Sequence, residues 1–360
     1  MRAAVLNAPG HNNITIREDV EPGDADGIFV KVRIRAAGVC HSDLSAVSGR
    51  LGLPTPVVIG HEAAGDVLEV GADVTEVSVG DRVIVSWVPQ CGTCWACTTG
   101  QAQLCTFNTT EQYRHTRFQV DGHPVAAQAG CGAFAEEVIV TQHNLVALPD
   151  DVPYEVGALI GCGVTTGIGA VINTAQVTAG SSVAVIGCGG VGLSAVQAAV
   201  AQGAASVVAV DPIQDKQMLA LSLGATAAIG PDELDATART TTGAAGGFDF
   251  AIEAVGNAAT IRAGYDSLRR GGTLAIAGVG PKDTEVAFTP YELYASEKRI
   301  VGSVFGSSSI RRDFPKVIDM WRNKEIDLDR LISARITLAD VPDALAALRS
   351  GTALRSVVLV

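Results

Sequence analysis

Four cysteines within fifteen residues constrain this chain more than any other feature of its sequence. The run CGTCWACTTGQAQLC separates the thiols by two, two and seven residues, with small side chains and two glycines between them. Thiolates at such spacings can converge on one tetrahedral zinc ion, and four sulfur ligands leave no position for water or a substrate. We therefore predict a closed structural zinc lobe at about residues 90–106, with the ligands Cys91, Cys94, Cys97 and Cys105.

The same run begins like the cysteine motif of an iron–sulfur electron carrier. In that motif C-x2-C-x2-C is followed by a fourth cysteine after three residues and then by a proline. Here the fourth cysteine follows after seven residues, and Thr106 comes next. The spacing favours zinc, so a non-enzymatic electron carrier is the weaker hypothesis.

Length and composition indicate a globular protein with two domains. At 360 residues the chain exceeds what one ordinary core supports. Its net charge of −12 and the lack of a basic cluster predict no nucleic-acid partner. The stretch 156–210 carries no charge, but glycines and polar residues interrupt it, so we predict no membrane span. Since no signal-like segment opens the chain, we expect a cytoplasmic protein whose cysteines bind metal rather than form disulfides.

Two kinds of hydrophobic pattern divide the sequence. Short segments in the first part, such as 30–35 and 137–140, alternate or are bounded by glycine and charge, which predicts a β-rich, partly closed barrel. From about Val164, buried strands such as 182–187 and 206–211 alternate with helical stretches such as 190–202. That alternation predicts a parallel α/β sheet.

A glycine-rich loop, GCGGVG, lies between a predicted buried strand and a predicted helix. In this context the pattern is typical of dinucleotide binding, because glycines permit a tight turn and let a pyrophosphate approach the helix N-terminus. Asp211 ends the next predicted strand, where a carboxylate can bind the adenosine ribose and would repel a 2′-phosphate. We predict NAD rather than NADP, held by the loop residues Gly187, Gly189, Gly190, Val191 and Gly192.

Four further cysteines lie outside the cluster. Cys131 and Cys188 lie in glycine-rich turns and are best interpreted as small buried side chains. Cys40 precedes the sequence HSD, His61 lies in IGHEAAG, and Cys162 lies between two glycines. Two thiolates and one imidazole would form the three-ligand set of an open, catalytic zinc site. Sequence spacing alone does not join these three residues.

The order and spelling of these motifs resemble a zinc-dependent alcohol dehydrogenase of the medium-chain dehydrogenase/reductase superfamily. Matching segments extend over nearly the whole chain: GVCHSD, GHEAAG, the four-cysteine lobe, GCGVTTGIGA, GCGGVG and LRSGTALRSVV. The resemblance implies a GroES-like β-rich catalytic domain at 1–163 and 305–360, with an inserted Rossmann doubly wound parallel sheet at 164–304. It also implies that Cys40, His61 and Cys162 bind a catalytic zinc in the cleft between the domains.

The resemblance further implies a reaction. It predicts reversible oxidation of an alcohol to an aldehyde, by hydride transfer from a zinc-bound alkoxide to NAD. Ser42 matches the first proton acceptor, and Asp43 matches the carboxylate that orients the zinc-binding histidine. Glu62 matches a carboxylate behind the metal, and Thr166 a residue packed on the nicotinamide. Ser45 stands where many relatives have the histidine that ends the proton relay.

Further matches concern the cofactor and the substrate pocket. Lys216 matches a lysine at the adenosine ribose, although a solvated helix lysine is an alternative. His41 and Arg355 match two arginines at the pyrophosphate, the first of them replaced here by histidine. Val279 and Phe305 are expected beside the cofactor and the outer pocket. The other implied pocket residues are Trp87, Leu51, Thr110, Gln128 and Ala129. A tryptophan near the zinc would narrow the pocket and favour primary, aromatic or medium-chain alcohols over bulky secondary ones.

Alternatives on the same fold stay open. Thiol-adduct formaldehyde dehydrogenases share the scaffold, but the acidic residue of the glutathione-dependent members is replaced here by the stretch 50–52. A nicotinoprotein would keep its NAD bound and pass hydride to an external carrier. A catalytically silent protein is disfavoured because every candidate ligand is retained. The apolar segment 299–305 is expected at a sheet edge, which predicts a homodimer or a higher homo-oligomer.

Overall fold

A computed structural model describes residues 1–107, 117–241, 246–351 and 354–360. The chain divides into two units: the first comprises Met1–Cys162, Ser309–Ile318 and Leu328–Val360, and the second Gly163–Ser308 and Asp319–Asp327. The borders predicted from the sequence instead assign Gly163, Phe305–Ser308 and Asp319–Asp327 to the first domain. We retain those borders as a proposal about the domains.

The first unit contains two sheets built mainly from antiparallel strands. One has the strand order Ile14–Arg17, Ala3–Leu6, Val57–Val58, His123–Ala127, Phe118–Val120 and Glu21–Pro22. The other has the order Leu145–Ala147, Arg82–Val85, Ala63–Val70, Phe29–Gly38, Ser356–Leu359 and Ala334–Ile336, and Glu137–Thr141 also pairs with Phe29–Gly38. The helices of this unit include His41–Val47, Trp95–Thr98 and Val341–Arg349.

The central strand Phe29–Gly38 shows why this part of the chain is β-structure. Its β-branched residues Val30, Val32 and Ile34 are fully buried, while the alternating residues Arg33 and Arg35 are exposed. A period of two with β-branched side chains on one face suits a sheet that packs one face on a core. The predicted β-rich first part is confirmed.

The second unit is a six-stranded sheet in which every strand pair is parallel. Its strand order is Ala227–Ile229, Ser206–Val210, Ser182–Ile186, Phe248–Glu253, Leu268–Ile276 and Arg299–Gly302. Its helices include Gly190–Ala201, Gln214–Ser222, Leu234–Thr241, Ala258–Asp266 and Pro290–Ser296. Numbered along the chain, this order is that of a doubly wound dinucleotide-binding sheet, so the predicted α/β fold is confirmed.

The helical segment Tyr154–Ala175 is continuous, whereas the sequence predicted that glycines and polar residues would interrupt this uncharged stretch. Its five glycines do not break it, and with a mean hydropathy of 1.6 it is long and apolar enough to cross a membrane. The glycines instead allow close packing: a Cβ on Gly157 would lie 3.1 Å from Ala64 Cβ, and one on Gly167 would lie 2.1 Å from Val191 O. Since 89% of its most apolar window is buried, packing inside the protein accounts for its composition.

Candidate metal and cofactor sites

The four clustered cysteines converge as the sequence predicts. Their sulfur atoms all lie within 4.8 Å of one another, around the short helix Trp95–Thr98. The backbone N–H of Cys94 donates to Cys91 Sγ at 3.4 Å, and the N–H of Cys91 donates to Cys105 Sγ at 3.4 Å. Such hydrogen bonds favour thiolates over neutral thiols.

The protonation of these thiols fits a bound cation. Burial and the neighbouring thiols of Cys94 and Cys105 raise the pKa of Cys97 to about 12. Against the effect of burial, the N–H groups of Cys97 and Thr106 lower the pKa of Cys94 to about 6. Without an ion the four sulfurs cannot all ionise, whereas zinc stabilises four thiolates together. The donor set therefore fits a structural zinc.

A second cluster brings together residues that are far apart in the sequence. Cys40 precedes the helix His41–Val47, His61 follows the strand Val57–Val58, and Cys162 lies in the π-helical turn Ile160–Val164. Their ligand atoms lie within 4.8 Å of one another, and all three residues are buried. The structure thus joins the three ligands that sequence spacing left separate.

Two features of this trio fit a zinc ion. His61 Nδ1 lies 2.7 Å from Asp43 Oδ1, and the buried His61 Nε2 has no hydrogen-bond partner among the described residues. The hydrogen bond between the thiols of Cys40 and Cys162 holds the pKa of Cys40 well below its ordinary value and that of Cys162 well above it. A divalent cation would supply the missing partner of the imidazole and stabilise both thiolates.

Behind the trio lies a buried ion pair. Arg355 Nη2 donates to Glu62 Oε1 at 2.5 Å, and both side chains are at most 5% exposed. Burial raises the pKa of Glu62 to about 7, although the Arg355 charge opposes the shift. Gly38 makes room for this carboxylate, because a Cβ there would lie 2.3 Å from Glu62 Oε1. Contact between Arg355 and a pyrophosphate stays a prediction.

Gln128 does not lie where the sequence placed it. Instead of lining a pocket it is 2% exposed, and both ends of its amide are bonded, to Asp43 Oδ1 at 2.8 Å and to the Gly60 N–H at 3.0 Å. Both ends of the amide are bonded to the protein, and a contact between Gln128 and a substrate stays a prediction. Trp87, Leu51 and Ala129 are half-buried, and Thr110 lies outside the described residues.

The residues predicted to move protons or contact the cofactor have mixed exposure. Ser42 is half-buried, with its hydroxyl 3.9 Å from Cys40 Sγ, whereas His41, one residue earlier, is exposed. Thr166 is 8% exposed within its helix and Phe305 is 2% exposed. Val279 is 71% exposed. Their roles toward substrate and NAD stay predictions.

The glycine-rich loop has the geometry of a dinucleotide cradle. Gly187 has φ +92°, and a Cβ on Gly192 would lie 1.7 Å from Gly187 O, so only glycine fits both positions. A Cβ on Gly189 would meet nothing within 4 Å, which leaves open space beside the loop. Gly190 and Val191 open the helix Gly190–Ala201, whose N-terminus can bind a phosphate.

Asp211 closes this loop from the neighbouring strand. Its carboxylate is 5% exposed and accepts hydrogen bonds from the N–H groups of Cys188, at 2.8 Å, and Ile213, at 2.9 Å. Lys216, on the following helix, is half-buried. An acidic group therefore lies at the loop, as NAD recognition requires.

Glu253 supports the cofactor loop and was not predicted from the sequence. It ends the strand Phe248–Glu253 beside the dinucleotide strand, is fully buried, and accepts hydrogen bonds at Oε1 from the N–H groups of Val255 and Gly256 and from Thr260 Oγ1, at 2.7–2.9 Å. It holds the turn that packs on Gly187, where a Cβ would lie 2.6 Å from Val255 Cγ2. A carboxylate at the end of a predicted strand, the position that Asp211 also takes, was the available signal.

Comparison with known proteins agrees with these sites. Residues 28–150 match the alcohol dehydrogenase GroES-like domain, and residues 190–323 match the zinc-binding dehydrogenase family. An S-(hydroxymethyl)glutathione dehydrogenase from Escherichia coli O1:K1 / APEC is 35% identical over 367 residues, which cover 99% of each chain. The chain belongs to the zinc-dependent alcohol dehydrogenases of the medium-chain dehydrogenase/reductase superfamily.

Solved structures of this family extend the match to the fold. A benzyl alcohol dehydrogenase from Acinetobacter calcoaceticus has a TM-score of 0.91 and 31% identity, covering 100% of this chain and 99% of that chain. A zinc-binding dehydrogenase from Sinorhizobium meliloti 1021, bound to NADP, has a TM-score of 0.79 and 28% identity, covering 100% and 99%. The alcohol dehydrogenase fold, its two zinc sites and a nicotinamide dinucleotide cofactor are therefore confirmed.

Proposed function

We propose that this alcohol dehydrogenase oxidises primary alcohols, aromatic or medium-chain, to aldehydes with NAD, and catalyses the reverse reaction. The trio Cys40, His61 and Cys162 carries the proposal, because its three ligand atoms are one short of the four that zinc prefers. When bound, zinc supplies a Lewis acid for the alcohol oxygen, and NAD supplies the hydride acceptor.

The chain's own residues orient the zinc-binding His61 and transfer the proton of the alcohol. Asp43 fixes His61 so that Nε2 faces the ligand site. The Ser42 hydroxyl, 3.9 Å from Cys40 Sγ, takes the proton of the alcohol. Ser45 lies on the same helix three residues further on, which places it on the same face, and it passes the proton toward water. Thr166 packs against the nicotinamide.

The substrate class rests on the pocket and on the relatives. Trp87 supplies a flat wall, and the small Ala129 leaves space farther out. The benzyl alcohol dehydrogenase at 31% identity supports an aromatic primary alcohol. The Escherichia coli relative at 35% identity supports S-(hydroxymethyl)glutathione as a second candidate. Against that candidate, the stretch 50–52 reads RLG, without the acidic residue of the glutathione-dependent members.

Substrate comparison tests the proposal. We expect kcat/KM for benzyl alcohol and 1-butanol to exceed that for 2-butanol by about tenfold or more, the discrimination a hydrophobic pocket can supply. Trp87→Ala should narrow that ratio, whereas the matched control Trp321→Ala, on the helix Ile310–Arg322, should not. A preference for 2-butanol would contradict the proposal, and a preference for formaldehyde with glutathione would establish the second candidate.

The same assays address the cofactor. Asp211, buried at the loop, favours NAD because a 2′-phosphate would meet its negative charge, so NADH should form faster than NADPH. Equal rates with NADP would contradict this choice. Turnover with an artificial acceptor and no added NAD would instead indicate a nicotinoprotein.

We also propose a homodimer and a cytoplasmic location. Arg299–Gly302 is an edge strand of the parallel sheet, and Tyr291 and Tyr294 just before it are 77% and 82% exposed. An unpaired apolar edge invites pairing with a second copy. None of the eight cysteines forms a disulfide, which suits a reducing compartment. Light scattering that shows a monomer would contradict the dimer.

A further inference from the structure

Gln128 lies at the centre of a buried hydrogen-bond network beside His61. It begins the turn Gln128–Gly130 and is separated from Asp43 by 85 residues along the chain. Gln128 Nε2 lies 2.8 Å from Asp43 Oδ1, and Gln128 Oε1 accepts from the Gly60 N–H at 3.0 Å. The same side chain thus reaches the carboxylate beside the zinc-binding imidazole and the backbone directly before that imidazole.

Only one orientation of the Gln128 side-chain amide is consistent with its two partners. Rotating the Gln128 amide by 180° would point Oε1 at the Asp43 carboxylate and the NH₂ group at the N–H of Gly60. Both contacts would then be repulsive, acceptor against acceptor and donor against donor. The Gln128 amide therefore donates to Asp43.

Asp43 is fully buried and accepts three N–H groups. Its Oδ2 accepts from the Cys40 N–H at 2.8 Å. Its Oδ1 accepts from His61 Nδ1 at 2.7 Å and from Gln128 Nε2 at 2.8 Å, and these two donor nitrogens lie 3.3 Å apart. Two N–H groups shared by one oxygen occupy both of its lone pairs and hold the carboxylate at one angle.

We infer that Gln128 is a positioning residue for the catalytic zinc: it holds the Asp43 carboxylate, and through it the His61 ring, in the orientation that presents Nε2 to the metal. Without the amide donor, one lone pair of a buried carboxylate loses its partner, and only the Cys40 N–H and His61 Nδ1 still hold the carboxylate. The ring bonded to it then loses its fixed angle, and metal affinity falls.

The inference deepens the proposed function, since it concerns the site that performs it. Its test reads the metal directly. Zinc affinity at the trio is measured by competition with a chromogenic chelator, and the visible spectrum of the cobalt-substituted protein reports the ligand geometry. Zinc affinity and the cobalt spectrum do not depend on which alcohol is the substrate. Failure of the proposed function and failure of the inference about Gln128 are therefore distinguishable.

Two variants separate the contacts of Gln128. Gln128→Met keeps the volume and removes both hydrogen bonds. Gln128→Glu keeps an acceptor for the Gly60 N–H but places a second carboxylate beside Asp43. We expect Gln128→Met to weaken zinc binding at the trio by about 10- to 100-fold, the range for lost outer partners of metal-bound histidines. Gln128→Glu should weaken it at least as much, because two like charges then share a buried site.

The four-thiolate lobe and a second buried glutamine serve as controls. The lobe should keep its zinc in every variant. Gln142 is 5% exposed and, like Gln128, accepts from backbone, at the N–H groups of Thr75 and Glu76. Gln142→Met should lower stability and leave the zinc affinity of the trio and the cobalt spectrum unchanged.

Two results would overturn the inference. Parental zinc affinity in Gln128→Met would show that Asp43 needs no support. Parental affinity in Gln128→Glu together with weak binding in Gln128→Met would show that Gln128 acts only through Gly60. Where either variant fails to fold, Gln128→Asn replaces it; the shorter amide cannot reach both partners, and a parental cobalt spectrum there would equally contradict the inference.

Discussion

The two metal sites of the first unit assemble their ligands in opposite ways. The lobe takes four sulfurs from fifteen consecutive residues, and three of these four cysteines are only half-buried. The trio takes its ligands from positions 40, 61 and 162, and all three are buried. Backbone N–H groups of its own loop support the lobe, whereas side chains from distant parts of the chain support the trio.

The difference corresponds to what each site can do. Four thiolates complete the coordination of zinc, so the lobe can stabilise a loop and cannot bind a substrate. Three ligands leave one position, and a buried setting strengthens the electrostatic effect of the metal on whatever binds there. An open site lacks the fourth ligand that would otherwise fix its geometry, so we expect the hydrogen bonds of Asp43 and Gln128 to affect zinc binding there.

The largest expected effect is loss of a trio ligand. Cys162→Ser should reduce the zinc content from two ions to one, because a serine hydroxyl is a poor zinc ligand. Activity should fall by about a thousandfold or more, since the metal contributes several kcal/mol to the barrier reduction. Zinc analysis and alcohol-dependent NADH formation measure the two quantities.

A buried thiol outside both sites provides the control. Cys131 is fully buried in the same unit, and its thiol donates to the carbonyls of Ser86 and Ala129. Cys131→Ser should keep two zinc ions and most of the activity. If Cys162→Ser kept two zinc ions, Cys162 would not be a required ligand, and the contrast between an open three-ligand site and a closed four-ligand site would fail.

A lobe variant should show the opposite pattern. Cys97→Ser should release the structural zinc and lower Tm by roughly 5–10 °C, because metal binding contributes to folding stability. At low temperature the folded fraction should keep its activity, since the trio is intact. Thermal unfolding and activity measured on the same sample check this. Complete loss of activity in a variant with parental Tm would contradict it.

The same contrast explains how much could be predicted from the sequence. The lobe ligands, the strand Ser182–Ile186 and the helix Gly190–Ala201 depend on neighbouring residues, and their predicted bounds differ from the observed ones by one residue at most. The trio depends on the fold, and its ligands were joined only by resemblance to a family. Local patterns predict local structure, and they do not report which distant segments meet.

The contacts that the sequence did not reveal have the same physical origin. Gln128 contacts partners 68 and 85 residues away, so no short pattern marks it as part of a metal site. Glu62 and Arg355 pair across 293 residues. Glycines normally weaken a helix, but in Tyr154–Ala175 they allow neighbouring backbone to approach, as Val191 O does at Gly167. In each case the contacts are set by tertiary packing between segments that are distant in the sequence.

The smallest expected effect concerns the tryptophan inside the lobe. Trp95 lies between two zinc-binding cysteines, yet it is 68% exposed and buries little apolar surface. Trp95→Ala should keep two zinc ions and shift Tm by less than about 2 °C, as expected for a surface substitution. Zinc analysis and thermal unfolding test it against Cys97→Ser. A larger fall in Tm or a lost ion would mean that apolar packing as well as thiolate ligation holds the lobe together, and the lobe would then share the trio's dependence on surrounding side chains.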